Sequence, residues 1–189
     1  MKKKLLLAVV CIMLMSFGIA MTGCESGETY DAGNISCTVP DGWKALSSEE
    51  LFNTTTDSSG EETASEEDAD PNSIYLYKGI EKTEDILNAN GITILYLEDY
   101  TFGGIDEMKA FYENVKKQKP LKLENYEWNW YTGEQMDGTY KYAILETVVD
   151  DDDSIQINVV LKNGDNTISM DDKDVKTILE SIKITKSDK

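Results

Sequence analysis

The apolar positions of this chain are spaced in three ways, and each spacing predicts a different element. Leu5 to Ala20 is an almost unbroken apolar run. Ile35-Ser36-Cys37-Thr38-Val39 alternates apolar and polar residues, the period of a half-buried strand, and Pro40-Asp41-Gly42 ends it. Ser73 to Lys78 and Ile92 to Leu97 are further β-rich segments, the second introduced by an Asn90-Gly91 turn. Ile105, Met108, Phe111, Tyr112 and Val115 recur at helical spacing. Asp106 and Glu107 in the first turn and Lys116, Lys117 and Lys119 near the end suit a helix dipole there, and Pro120 closes it. Three longer strands follow as a meander: Asn125 to Gln135, Thr139 to Val149, and Ser154 to Lys162. Asp137-Gly138 is a hairpin signal, Asp150 to Asp153 makes the second turn, and Asn163-Gly164 the third. A final helix starts at Asp171, Asp172 and Asp174 and carries the stripe Val175, Ile178, Leu179 and Ile182. Ser47 with Glu50 has capping-box spacing, predicting a helical turn from Ser48 to Asn53. The order β-loop-β-β-α-β-β-β-α is that of an α+β domain built on an antiparallel sheet.

The first apolar run belongs to no fold. Lys2, Lys3 and Lys4 precede it, and Met21-Thr22-Gly23-Cys24 follows it. That is the layout of a secretory signal. Its end resembles a bacterial lipobox, in which Cys24 takes a diacylglyceryl group and cleavage removes residues 1–23. Two acyl chains suffice for stable anchoring, so the expected location is the extracytoplasmic face of the cell membrane. The alternative is an uncleaved anchor helix, since the run is close to the spanning minimum. Residues 24–29 are expected to be a short tether and residues 30–185 a single domain.

Charge narrows the list of partners. The 36 acidic residues face 18 basic ones, all lysine, with no Arg and no His. Loss of Lys2, Lys3 and Lys4 leaves 15 lysines against 36 acids, a net charge of −21. Such a chain repels nucleic-acid phosphates, so nucleic-acid binding is excluded. With Cys11 in the signal and Cys24 lipidated, Cys37 stands alone and no internal disulfide forms. Its place on the apolar side of a strand makes it a buried, inert thiol. Without histidine neither a Cys–His pair nor a histidine metal site exists, and the expectation is no metal and no cofactor.

Between Ala45 and Tyr77 there are nine acidic residues and no basic one. Its centre, about residues 54–73, is rich in Ser, Thr, Gly and Ala and buries too little apolar surface to offset its ordering entropy. A mobile acidic loop is expected there. A weak cation site is the alternative, although no segment has the spacing of an EF-hand loop.

The segment Val39-Pro40-Asp41-Gly42-Trp43, the element order and the closing Ile178-Leu179-Glu180-Ser181-Ile182 helix together resemble the PsbP-like lipoproteins of bacteria. Those domains, similar in fold to the Ran-binding Mog proteins, sandwich an antiparallel β-sheet between helices. The resemblance spans roughly residues 30–185 and implies that architecture; it brings no catalytic residues with it.

Catalytic templates are missing. The chain has no Gly-x-Ser-x-Gly elbow, no phosphate-binding glycine loop and no histidine for a triad. Carboxylate pairs arise by chance among so many acids, so a carboxylate-dependent hydrolase is the least favoured reading. One constellation hints at binding. Tyr126, Trp128 and Trp130 alternate along one strand, and a two-residue turn at Asp137-Gly138 sets Trp130 opposite Leu145, Trp128 opposite Thr147 and Tyr126 opposite Val149. A turn centred between Asp151 and Asp152 would then add Asn158, Gln156 and Ser154 to the same face. Aromatic rings beside amides suit a glycan or an anchoring protein partner. The opposite side of the sheet, which collects Tyr131, Ile144 and Val159, is expected to be the main core; the simpler alternative for the rings is that the last helix covers them as core too. The expected function is a non-enzymatic interaction or ligand-capture module at the cell surface, the alternatives being a glycan-binding module and the hydrolase.

Overall fold

In the computed structural model, residues 27–53, 70–100, 102–150 and 152–185 are described. The signal segment, Cys24 and the acidic stretch 54–69 lie outside the described residues. The fold is mostly antiparallel β-sheet with few helices. β1 (Gly27–Asp31) and β2 (Ile35–Pro40) form a hairpin, followed by β3 (Trp43–Leu46), α1 (Ser48–Asn53) and β4 (Ser73–Lys78). A 3-10 helix (Thr83–Asn88) precedes β5 (Gly91–Leu97), α2 (Gly104–Phe111), β6 (Glu113–Lys117) and β7 (Leu121–Lys122). The meander β8 (Glu127–Gln135), β9 (Tyr140–Val148) and β10 (Ser154–Asn163) comes next, then β11 (Asn166–Thr167), α3 (Lys173–Ser181) and β12 (Lys183–Ile184). The large sheet runs β3-β4-β5-β10-β9-β8-β6, with β11 added to β10 and β7 to β8; β1-β2-β12 is a separate small sheet.

Much of this follows the local signals. The capping box is present: Ser47 N–H donates to Glu50 Oε2 at 2.8 Å, and Glu50 N–H donates to Ser47 Oγ at 3.1 Å. Asp137 and Gly138 both adopt positive φ, 54° and 81°, the backbone that a tight hairpin requires. β8 and β9 accordingly pair with Trp130 opposite Leu145.

Four expectations are corrected. The segment taken as tether already folds, since β1 starts at Gly27 and pairs along β2 from Gly27 with Pro40 to Asp31 with Ser36. Its polar sequence hides it, because a two-stranded ribbon against a buried neighbour needs few apolar residues of its own. The helix expected to run to Pro120 stops at Phe111. Tyr112 is extended and Asn114 takes φ 51°, turning the chain so that residues 113–117 pair with the free edge of β8. Edge hydrogen bonding there outweighs the helical spacing of Val115. The far end of the acidic stretch is tied down: Ser73 Oγ donates to Asp70 Oδ2 at 2.5 Å, and Pro71 O accepts from Asn34 N–H at 2.9 Å.

The fourth correction changes the most. β9 and β10 pair with Val148 opposite Ser154 and Leu145 opposite Ile157, one residue away from the expected register. Tyr100 N–H donates to Asp152 O, Val149 N–H to Asp153 O and Ser154 Oγ to Tyr100 O, at 2.9–3.0 Å, which fixes a five-residue connection. A one-residue slip moves every β10 side chain to the opposite side of the sheet. Ile155, Ile157 and Val159 therefore join Trp128 and Leu145, and Gln156 and Asn158 join Tyr131 and Ile144.

With this slip the main core lies on the first of these faces and not, as expected, on the Tyr131 and Ile144 side, because the isoleucines and valine of β10 have moved across the sheet. Ile74, Leu76, Ile92, Ile94, Leu145, Ile155, Ile157 and Val159 are buried there with Ile35 and Cys37 of β2 and Val175, Ile178, Leu179 and Ile182 from α3 and its end. Trp43 is pinned to the start of α3 by its Nε1–H donating to Asp174 Oδ2 at 3.3 Å. Asn125 Nδ2 donates to Leu179 O at 2.9 Å and Ile182 O at 3.2 Å, satisfying carbonyls at the helix end. The second face carries a smaller core of Met108, Tyr131 and Ile144 beneath α2.

Candidate functional site: a groove beside the second helix

Tyr126, Trp128 and Trp130 are part of the packing. Trp128 is completely buried in the main core. Tyr126 packs edge-on against it, with ring centroids 5.6 Å apart and planes at 76°. Trp130 is half-buried, and its Nε1–H donates to Lys119 O at 2.7 Å. The strand is thus no aromatic platform, because the slip described above replaces its amide neighbours with isoleucines. Cys37 is buried, and burial pushes its thiol up to about 12, away from the thiolate that a nucleophile or metal ligand requires. Cys24 lies outside the described residues.

A mixed aromatic and amide surface does exist, on the other face. Between α2 and the strands there, a groove of about 170 Å³ is lined by Phe102, Glu107, Phe111, Tyr112, Gln156 and Asn158 together with the buried Met108 and Ile144. Local structure explains each wall. Gly104, with φ 67°, opens the helix close to Tyr131. Tyr112 ends the helix and reaches the sheet over Gly133, where a Cβ would sit 2.6 Å from Tyr112 Cβ. Tyr112 also lies 5.2 Å from Tyr142, centroid to centroid, and Phe102 lies 5.9 Å from Tyr131 in an edge contact. Phe111 stays 67% exposed and forms the outer lip.

The polar groups are of two kinds. Glu107 is held in place, accepting from Tyr100 Oη at 2.7 Å and Gly103 N–H at 2.7 Å. The bond to Glu107, with burial, pushes Tyr100 up to about 12. Glu146 sits deeper along the same strand face. Burial raises its carboxyl above the ordinary glutamate range, Lys117 counteracts this, the negative charge of Glu107 adds to it, and the Tyr131 hydroxyl donates to it. Lys117 Nζ lies 5.7 Å from the Tyr131 ring centroid. Gln156 and Asn158, by contrast, have no side-chain hydrogen-bond partner among the described residues. Both are half-buried, with donors and acceptors left for an occupant or for water.

Two other clefts differ in this respect. One of about 410 Å³ lies between the β1-β2 hairpin and β3, but its Trp43 N–H is already engaged. The other, about 450 Å³, is lined by Lys78, Asp85, Asn88, Asn90 and Asn166 among others. There Asn90 Nδ2 donates to Val160 O and Asn166 Nδ2 to Asn88 O, both at 2.8 Å. These groups hold the loops together. Among the described residues no set of three His, Cys, Asp or Glu side chains is gathered for a metal ion, and no helix is long and apolar enough to cross a membrane.

Sequence reasoning had the right ingredients on the wrong partners. Gln156 and Asn158 were expected beside Trp128 and Trp130, and the structure sets them beside Ile144, Phe102 and Tyr112. Strand parity from β5 would have found this: Ile157 opposite Ile94 and Val159 opposite Ile92 form one continuous apolar face only if the amides point the other way.

No protein-family model matches the chain, and no curated protein matches it. Among solved structures, a Bacteroides thetaiotaomicron VPI-5482 protein solved at 1.50 Å is similar, with 11% identity and a TM-score of 0.48. The match covers 86% of this chain and 49% of that one, so this chain spans about half the length of that protein.

Proposed function

We propose that the chain is a non-enzymatic capture module, held by a lipid on Cys24 at the extracytoplasmic face of the cell membrane, with the groove beside α2 as its contact surface. The PsbP-like reading fits α3 against one face of the sheet and α2 against the other. The observation that carries the capture role is the pair of side-chain amides, Gln156 and Asn158, without partners among the described residues and set between aromatic rings. Rings supply contact area with little rotamer entropy, and free amides supply orientation. At about 170 Å³ the groove is smaller than the ~300–1,000 Å³ clefts that enclose a whole small molecule. It accommodates one ring or one side chain of a larger partner. A neutral sugar unit fits this description, and the net charge of the chain disfavours anionic ligands.

Hydrolysis is less well supported. Glu107 lines the groove and Glu146 does not, so the two carboxylates do not face one shared space across a scissile bond.

Calorimetric titration with neutral oligosaccharides derived from cellulose and chitin tests the reading. Binding that is lost in Gln156→Ala/Asn158→Ala with an unchanged melting temperature supports it. A photocrosslinker at Phe111 that maps in intact cells to a defined protein would identify a protein side chain as the occupant instead. Release of reducing ends by the unmodified chain would refute the non-enzymatic role. For the anchor, Cys24→Ala is expected to shift the protein out of the membrane fraction.

A further inference from the structure

The strand directions and hydrogen bonds place several loops at one end of the large sheet. Gly27 pairs with Pro40, and two residues on, Gly42 O accepts from Gly79 N–H at 2.8 Å. Asn163 Nδ2 donates to Leu87 O and Ala89 O at 3.0 and 2.9 Å, tying the 3-10 helix to the end of β10. Gly164 N–H donates to Thr139 O at 3.2 Å, and Lys162 Nζ to Gly138 O at 2.7 Å, adding the β8-β9 hairpin. Gln135 Nε2 donates to Phe111 O at 3.2 Å, adding the end of α2. The beginning of the folded chain and four loops therefore share this end.

The exposed apolar side chains are concentrated there. Leu87 is 75% exposed, Met136 72% and Phe111 67%, and all three lie along this end. Val148, 65% exposed, lies at the opposite end, where β9 meets Ser154. Single exposed apolar residues carry no meaning; three of them spread from the middle to the far edge of the same sheet end at which the chain enters the fold do. Cys24 is three residues from Gly27, so an anchored thiol holds Gly27 within about 10 Å at ~3.5 Å per residue.

We propose that this end of the sheet rests on the bilayer, with Leu87 and Met136 entering the boundary between headgroups and acyl chains and Phe111 flanking them. The inference rests on the Cys24 anchor of the proposed function and adds an orientation to it. The length of chain between Cys24 and the fold selects a lipid surface as occupant, because a tether this short keeps this end of the sheet next to lipid, and the three exposed side chains span that end. The contact is apolar in origin, since the acidic chain gains nothing from anionic headgroups.

The test uses the lipidated full chain in phosphatidylcholine vesicles, with Leu87→Cys, Met136→Cys or Val148→Cys labelled by an environment-sensitive fluorophore. Cys37 is buried and does not compete for label. Co-flotation with the vesicles is measured first and checks the anchor alone. The expected result is a blue shift and quenching by lipids carrying a shallow nitroxide at positions 87 and 136, and neither at position 148. Flotation with equal quenching at all three positions, or at none, overturns the orientation while leaving the anchor standing. Failure to float refutes the anchor and the orientation together. A blue shift at 87 or 136 that grows with protein concentration in the absence of lipid would assign the surface to a second copy of the chain and overturn the lipid contact.

Discussion

The two faces of the large sheet are made from the same strands yet differ in nearly every physical respect. The first is closed by α3 and the β1-β2-β12 sheet, and most of its side chains are buried Ile, Leu, Val and Trp, with Tyr126 and Trp130 half-buried at its margin. Among the described residues the second is covered by α2 near β6, β8 and β9, and it carries Glu146, Gln156 and Asn158 among tyrosines. Farther along, Tyr75, Tyr77, Thr93 and Leu95 remain half-exposed on it. The first face supplies the free energy of folding. The second is left free to vary in polarity. Burial on one side permits chemistry on the other.

The largest expected effect breaks the comparison if it is absent. Trp128→Ala removes a fully buried ring from the first face and is expected to cost about 3–5 kcal/mol, read by denaturant titration. A loss below about 1 kcal/mol would mean that the core tolerates that void and that the faces are not energetically distinct. A conservative Trp128→Phe is informative beside it, because the indole Nε1–H is buried without a partner among the described residues. Next comes the attachment of α3 to that face. Asn125→Ala removes two hydrogen bonds to helix-end carbonyls and is expected to cost about 1–3 kcal/mol, with the m-value unchanged.

The second face is expected to respond to pH more than to truncation. Folding raises the Glu146 carboxyl above its ordinary value of 4.5, so the folded state binds that proton more tightly. Its stabilising contribution is complete below that value and is lost as pH rises through the raised one. Glu146→Gln is therefore expected to gain stability relative to the unmodified protein as pH rises from below 4.5. A difference between the two that is flat with pH would show that Glu146 is not displaced. The smallest effect belongs to Phe111, whose exposed ring leaves stability within about ±0.5 kcal/mol on replacement by Ala. Its loss should appear in oligosaccharide titration rather than in stability.

Long, strongly patterned elements were legible from the residues: β8, β9 and β10, the capping box at Ser47 and Glu50, and the buried stripe of α3. Two things were not. Strands such as β6, β7, β11 and β12 are two to five residues long and exist only because a neighbouring edge offers hydrogen bonds, which no local spacing records. The site was missed for a sharper reason. Asp150 to Asp153 reads equally well as a turn with an even or an odd number of residues, and that parity alone decides which side Gln156 and Asn158 occupy. Contacts from Tyr100, remote in sequence, settle it.

The closing strand has a consequence in time. β12 pairs with β2, Lys183 opposite Ser36 and Ile184 opposite Ile35. Thr38 N–H donates to Ser181 Oγ at 2.8 Å, across 143 residues of chain. The second strand to leave the ribosome thus waits for the last helix and strand before its own face is covered. A nascent chain short of α3 and β12 has the meander available but cannot seal its main core. Contacts of such long sequence separation slow folding. Closing the main core is therefore expected to be the late step of folding, after α3 and β12 have formed.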